Sequence, residues 1–157
     1  MYTVTITCDG ATENNGQPGA RGGWGAVLHY TDYTEHLFGP LALPATNQRA
    51  ELTAALEALR TLPEDQVVLL RSDSQYVIKG MTEWIGGWQR KGWRNAQGQS
   101  VANQDLWKAL LVAAKPHKIT WQWVRGHNGD PDNELADRLA VRAINAPEIE
   151  AIRVSVG

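Results

Sequence analysis

Cysteine is nearly absent from this chain. Cys8 stands alone among 157 residues, which rules out an internal disulfide and fits a reducing compartment, with the cytoplasm as the expectation. Phenylalanine is reduced to Phe38, while tryptophan reaches seven; four of these lie between Trp84 and Trp107, and two frame Gln122. No apolar run approaches the roughly 18 residues that a membrane span requires. Met1 is followed by Tyr2-Thr3, with neither a basic start nor an apolar stretch, so no signal peptide is expected. Net charge is also scarce, at -2, which excludes a global basic footprint for nucleic acid. Any polyanion must therefore be held by a local patch or by metal ions. What the chain does have is 43% hydrophobic residues, enough for one sizeable core and too many for wholesale disorder. The length fits one domain, with no internal repeat, low-complexity tract or linker.

Met1 to Cys8 alternates Val4, Ile6 and Cys8 with Thr3, Thr5 and Thr7, a strand pattern that runs into Asp9-Gly10. Gly10 to Gly23 is rich in Gly, Asn and Pro and is expected to be a loop. Trp24 to Tyr30 and Tyr33 to Gly39 read as two more strands, joined by a tight Thr31-Asp32 turn, which makes a three-stranded antiparallel meander. Helical spacing begins at Asn47 with Leu52, Ala55, Leu56 and Leu59, and Pro63 follows the helix end. Glu51 lies near the edge of that apolar stripe. Gln66 to Ser72 is a buried strand, parallel to the first and ending in Asp73. Ser74 to Lys79 predicts a short helix with Ser74 as a candidate N-cap. Thr82 to Trp88 is a further helix candidate, and Gly86 to Val101 reads as a projecting loop. Gln104 to Lys115 is an amphipathic helix, Lys118 to Val124 a strand, Arg125 to Pro131 a loop, and Asp132 to Asn145 a helix. After Pro147 the alternation of Ile152, Val154 and Val156 marks a tail that is either an edge strand or mobile. The order implies an α/β fold: a mixed five-stranded sheet, three antiparallel strands and then parallel ones, flanked by helices on both faces.

Two strands that end in Asp can bring two carboxylates to one rim, and such a pair repels strongly unless a proton or cation lies between them. Glu51 and Asp137, each on a helix, could complete an acidic cage. Taken singly, each acid has a plainer reading. Asp9-Gly10 could be a turn, Asp73-Ser74 a cap, Glu51 a solvated helix residue, and Asp137 a partner for Arg138 or Arg142. Convergence of all four favours the cage. Four carboxylates without a Cys/His pair select Mg²⁺ or Mn²⁺ over Zn²⁺. Two such ions about 3.5–4 Å apart can clamp a phosphodiester.

Several separate motifs then agree in order and spacing. Cys8-Asp9-Gly10, Thr46-Asn47-Gln48-Arg49-Ala50-Glu51-Leu52, Ser72-Asp73-Ser74-Gln75-Tyr76-Val77, Trp123-Val124-Arg125-Gly126-His127 and Asn133-Glu134-Leu135-Ala136-Asp137 resemble ribonuclease HI, the type 1 ribonuclease H. The resemblance covers residues 1–145 as a catalytic domain and leaves 146–157 as a tail. It implies an endonuclease that cuts the RNA strand of RNA/DNA hybrids with two Mg²⁺ ions, leaving a 5′-phosphate and a 3′-hydroxyl. By the same resemblance Asp9 bridges the ions, Asp137 helps to hold the one that activates water, and Glu51 and Asp73 hold the one at the leaving side. His127, between Gly126 and Asn128-Gly129, would serve as a proton shuttle or in product release, an ordinary loop histidine being the plainer reading.

An enzyme that tells RNA from DNA must sense the 2′-hydroxyl, which both donates and accepts, and amide side chains suit that role. Asn47, Gln48 and Gln75 are the matched candidates, with Asn15 in the first loop. Asn47 also reads as a helix N-cap. Thr46 resembles a position in a DNA phosphate pocket. The segment from Trp84 to Val101 resembles a basic handle on the DNA strand, carrying Trp84, Arg90, Lys91 and Arg94. Its tryptophans also read as packing onto the Gln104 helix. No separate N-terminal hybrid-binding domain is expected, and a monomer is. Two other classes compete. A catalytically silent binding module would have lost at least one of the four acids, and none is missing. A nuclease cutting DNA, or a phosphatase, would need neither the Asn47-Gln48 pair nor the handle.

Overall fold

A computed structural model describes residues 1–126 and 128–155. His127 and the Val156 of the tail pattern lie outside the described residues. Strands β1 (Val4–Glu13), β2 (Arg21–His29) and β3 (Tyr33–Pro40) form the antiparallel meander. Helix α1 (Asn47–Arg60) leads to β4 (Val67–Ser72), which pairs with β1 in parallel. Next come α2 (Gln75–Lys79), a π-helical turn at Gly80–Trp84, α3 (Ile85–Arg90) and α4 (Gln104–Ala114). Strand β5 (Lys118–Trp123) pairs in parallel with β4, and α5 (Pro131–Ala143) follows. The tail supplies β6 (Glu150–Ser155), antiparallel to β3. The sheet thus has six strands rather than five, in the order β5-β4-β1-β2-β3-β6. The sixth arises because the tail's alternation lets it dock on β3 at the price of exposure: Ile152 is 41% and Val154 45% exposed.

Period-two alternation sends Val4, Ile6 and Cys8 of β1, with Trp24, Ala26 and Leu28 of β2, to one face. There they meet Leu52, Leu56 and Leu59 of α1 and Trp107 and Leu110 of α4. Val27 and Phe38 face the other way and pack on Ala136, Leu139 and Ala143 of α5. Each fully buried Leu, Ile or Phe contributes about 1.5–3 kcal/mol. Burial on both faces therefore holds the rim of the central strands between two helices.

The expected loop from Gly10 to Gly23 is strand at both ends, because β1 runs on to Glu13 and β2 resumes at Arg21, and only residues 14–20 form the connection. Of the segment's glycines, Gly16 and Gly19 have positive φ and serve the turn, whereas Gly10, Gly22 and Gly23 lie in the strands and serve close packing. A Cβ at Gly10 would lie 2.5 Å from the carbonyl carbon of Ala50 in α1, and one at Gly23 would lie 2.4 Å from the carbonyl oxygen of Ala140 in α5. The expected projecting loop is helical as far as Arg90. At Gly80 the ring of fully buried Trp107 presses so close that a Cβ would lie 2.0 Å from it.

Candidate active site

Asp9 and Asp73 share one rim because β1 and β4 are adjacent and in register, with Cys8 opposite Ser72. That pairing ends where the two acids begin, at the C-terminal side of a parallel pair, the usual crevice of an open α/β sheet. Glu51 enters from the second turn of α1, whose start is fixed by Thr46: its hydroxyl accepts from the Arg49 N–H at 3.1 Å. One carboxylate oxygen each from Asp9, Glu51 and Asp73 all lie within 4.8 Å of one another. The Gly10 N–H donates to both Asp9 Oδ1 (2.9 Å) and Glu51 Oε1 (3.0 Å), tying strand acid to helix acid. Glu51 Oε2 is buried and has no hydrogen-bond partner among the described residues.

Like charges packed in a low-dielectric site resist ionisation. Burial, aided by the charges of Asp73 and Asp137, pushes Asp9 up to about 7, although hydrogen bonding to Glu51 and to Gly10 opposes the rise. Burial and then the Asp9 charge hold Glu51 well above the usual carboxylate range. The two titrate as one unit. Burial likewise pushes the Cys8 thiol up, so it is protonated and inert. A hard divalent cation fits this donor set. Its ligands would all be oxygens, Oε2 of Glu51 is turned toward no partner among the described residues, and a doubly positive ion would relieve the repulsion among the acids.

Around the trio, Asn133 is 2% exposed and its Nδ2 lies 3.5 Å from Asp73 Oδ2. The indole N–H of Trp123 donates to the Asp73 carbonyl at 3.1 Å. A Cβ at Gly126 would come within 2.8 Å of Asp73 Oδ2, so a larger residue there would push the Asp73 carboxylate aside. Asp137 is half-buried on α5 and stands outside the trio, though near enough for its charge to act on Asp9.

The amide candidates gather at the start of α1. Asn15 Oδ1 accepts from the Asn47 N–H at 2.9 Å, and the Thr12 hydroxyl contacts Asn47 Oδ1. The N-cap is Thr46, not Asn47, so the Asn47 side chain is turned to the β1 strand instead. Gln48 and Gln75 are exposed. Gln48 Oε1 accepts from Asn103 Nδ2 at 3.5 Å, and the same amide donates to the Tyr76 hydroxyl at 3.1 Å. Asn103 and Tyr76 thus join the α1 start to the far segment, a link that sequence reading missed. Asn103 sits at the N-cap position of α4 with φ 58° and makes no side-chain cap bond, so its local signal would have been read as a cap alone.

In the handle, Trp88 stacks at a tilt on Trp107 with centroids 5.2 Å apart, and Trp84 and Trp93 flank it at 5.9 and 6.4 Å. Arg90, Lys91 and Arg94 are exposed. Trp84 is 37% exposed.

A mixed sheet with acids converging at its parallel strand ends, wrapped by helices on both faces, defines an α/β protein whose site suits a hard divalent cation. Comparison with known proteins narrows the class. The RNase H family model matches residues 1–145. A ribonuclease H of Cupriavidus metallidurans is 53% identical over 144 residues, which is 92% of this chain and 97% of that one. One from Geotalea uraniireducens is 52% identical over 141 residues, 90% of this chain and 93% of the relative. Among solved structures, LC9-RNase H1, "a type 1 RNase H with the type 2 active-site motif", superposes with a TM-score of 0.86 at 29% identity, over 100% of this chain and 79% of that one. A foamy viral protease-reverse transcriptase in complex with RNA/DNA hybrid shares the fold at 21% identity and TM-score 0.74, over 92% of this chain and 20% of that one. The chain belongs to the ribonuclease H family and is an enzyme of it.

Proposed function

We propose that this enzyme hydrolyses the RNA strand of RNA/DNA hybrids by a two-metal-ion mechanism, giving 5′-phosphate and 3′-hydroxyl ends. The observation that carries the reading is the meeting of Asp9, Glu51 and Asp73 around a buried, unpartnered Glu51 oxygen. Asp9 would hold both ions, Asp137 would help on the side of the attacking water, and Glu51 and Asp73 would serve the leaving side. Two Mg²⁺ ions, or Mn²⁺, would when bound lower the pKa of the attacking water and neutralise charge on the leaving oxygen.

The chain's own residues orient the substrate. Asn15, Asn47 and Gln48 gather at one helix start, and with Gln75 they would read 2′-hydroxyls by donating and accepting. Thr46 would receive a DNA phosphate. Arg90, Lys91 and Arg94 would grip the DNA backbone, with Trp84 contributing an exposed ring edge. His127 would move a proton or help product leave. The catalytic unit in this reading is residues 1–145, acting as a monomer in the cytoplasm, with the tail as an edge strand.

The test is cleavage of one labelled RNA/DNA hybrid beside matched RNA/RNA and DNA/DNA duplexes, with Mg²⁺ and with chelator, for wild type and Asp9→Asn. Metal-dependent cutting of the hybrid alone, lost in the variant, is expected. Cutting of no duplex in Mg²⁺ or Mn²⁺ would overturn the reading in favour of a binding module. Cutting of DNA/DNA would overturn its substrate class.

A further inference from the structure

We propose that Arg71 is a positioning residue: it locks the N-terminus of α5 to the two strands that carry Asp9 and Asp73, and so sets where Asp137 meets them. The inference rests on the metal reading above. Arg71 is two residues before Asp73, and Thr7 is two residues before Asp9, so the pair lies one step below the acids. Thr7 and Arg71 are also direct partners across the β1–β4 ladder. Arg71 Nη1 donates to Thr7 Oγ1 at 3.0 Å, and Nη2 pairs with Asp130 Oδ2. The other oxygen of Asp130 caps α5, accepting from the N–H groups of Asp132 and Asn133 at 3.1 Å each. Thus one carboxylate holds the helix start with one oxygen and the guanidinium with the other.

The consequence reaches the site through α5. Asn133, on the helix's first turns, touches Asp73, and Asp137 follows four residues later on the same side of the helix. The helix is therefore fixed to β4 at two points below Asp137. Thr7 is fully buried, and the Arg71 side chain is 18% exposed. A largely buried ion pair stabilises little more than apolar residues of the same shape would, while a planar fork that makes two bonds at once fixes orientation. The guanidinium also holds the Asp130 carboxyl below the usual carboxylate range.

Mn²⁺ binding followed by electron paramagnetic resonance tests this without relying on activity. The variants are Asp137→Asn, Arg71→Met, Arg71→Lys and Asp130→Ser. Val68→Ala, a core change toward the opposite end of β4, controls for lost stability. Asp137→Asn should remove or weaken one class of Mn²⁺ site. Arg71→Met should weaken that same class about 10-fold and spare the other, as loss of an outer partner of a metal ligand does. Asp130→Ser keeps a helix cap but cannot reach Arg71, and should match Arg71→Met. Arg71→Lys should fall between. Val68→Ala should lower Tm and leave Mn²⁺ binding as in wild type. If Arg71→Met does not fold, Asp130→Ser decides the matter. Wild-type Mn²⁺ binding in both Arg71→Met and Asp130→Ser, whatever their Tm, would overturn the proposal. A wild type that binds no Mn²⁺, or an Asp137→Asn variant that binds it as wild type does, would overturn the metal reading and this inference with it.

Discussion

In the proposed function the acidic rim and the tryptophan handle face the same demand, contact with a polyanion, and would meet it on opposite terms. At the rim the charged groups are buried and crowded, and the fold stabilises neither Asp9 nor Glu51 as an anion. In the handle the charges are exposed, and stability comes from Trp88, Trp93 and Trp107 beneath them. The difference teaches where each region's function is stored. The rim holds its function in an electrostatic strain that a cation would release. The handle separates its packed tryptophans from its exposed cations, so those cations can be exchanged without disturbing the fold.

Asp9→Asn should break this contrast most sharply. Hybrid cleavage in Mg²⁺ should fall by about 10²–10³-fold or more, as loss of a central charge-stabilising group does. Without metal the same variant should be more stable than wild type at pH 8. The folded pKa of Asp9, about 7, lies above the ordinary carboxylate value, so wild type loses stability as pH rises from about 4 to about 7. Asn has no proton to lose. The gain should be about 4 kcal/mol, or about 8–16 °C in Tm, at pH 8 and should vanish near pH 4. A thermal melt series against pH reads this directly.

Trp88→Ala should cost about 2–3 kcal/mol, because it removes a half-buried ring from the handle's base. Urea melts measure the loss, and the KM for hybrid should rise with it while kcat holds. Replacing Arg90, Lys91 and Arg94 together by Ala should leave Tm within about 1 °C. It should raise KM and make the log–log salt dependence of hybrid binding shallower by about 2–3. The smallest effect should come from Asp105→Asn. The Arg49–Asp105 pair is well formed at 2.7 Å but exposed at Asp105, so chemical denaturation should register about 0–1 kcal/mol.

Much of the fold was legible because its signals are local and periodic. Val4, Ile6 and Cys8 alternate into Asp9, and Leu69-Leu70 lead to Asp73, so the two strand-end acids could be read from the chain alone. Element order followed from the same periodicities. What escaped depends on partners distant in sequence. Gly10 and Gly23 look like loop residues until a helix is laid against them. Thr46 and Asn47 are both good caps, and only the Asn15 and Thr12 contacts decide between them. Arg71 reads as one more strand residue until Asp130, 59 positions later, is seen to reach it. The tail's alternation left an edge strand and a mobile tail both open, because its place beside β3 depends on which sheet edge is open.

On this account burial and crowding hold Asp9 and Glu51 against ionisation until a cation arrives at the rim. Calorimetric titration of Mg²⁺ into metal-free protein at pH 7, repeated in buffers of different ionisation enthalpy, tests it most directly. Wild type should release protons as Mg²⁺ binds, seen as a heat that changes with the buffer. Asp9→Asn should lose most of both the binding and the release. Mg²⁺ binding with no buffer dependence in wild type, or undiminished binding in Asp9→Asn, would contradict it.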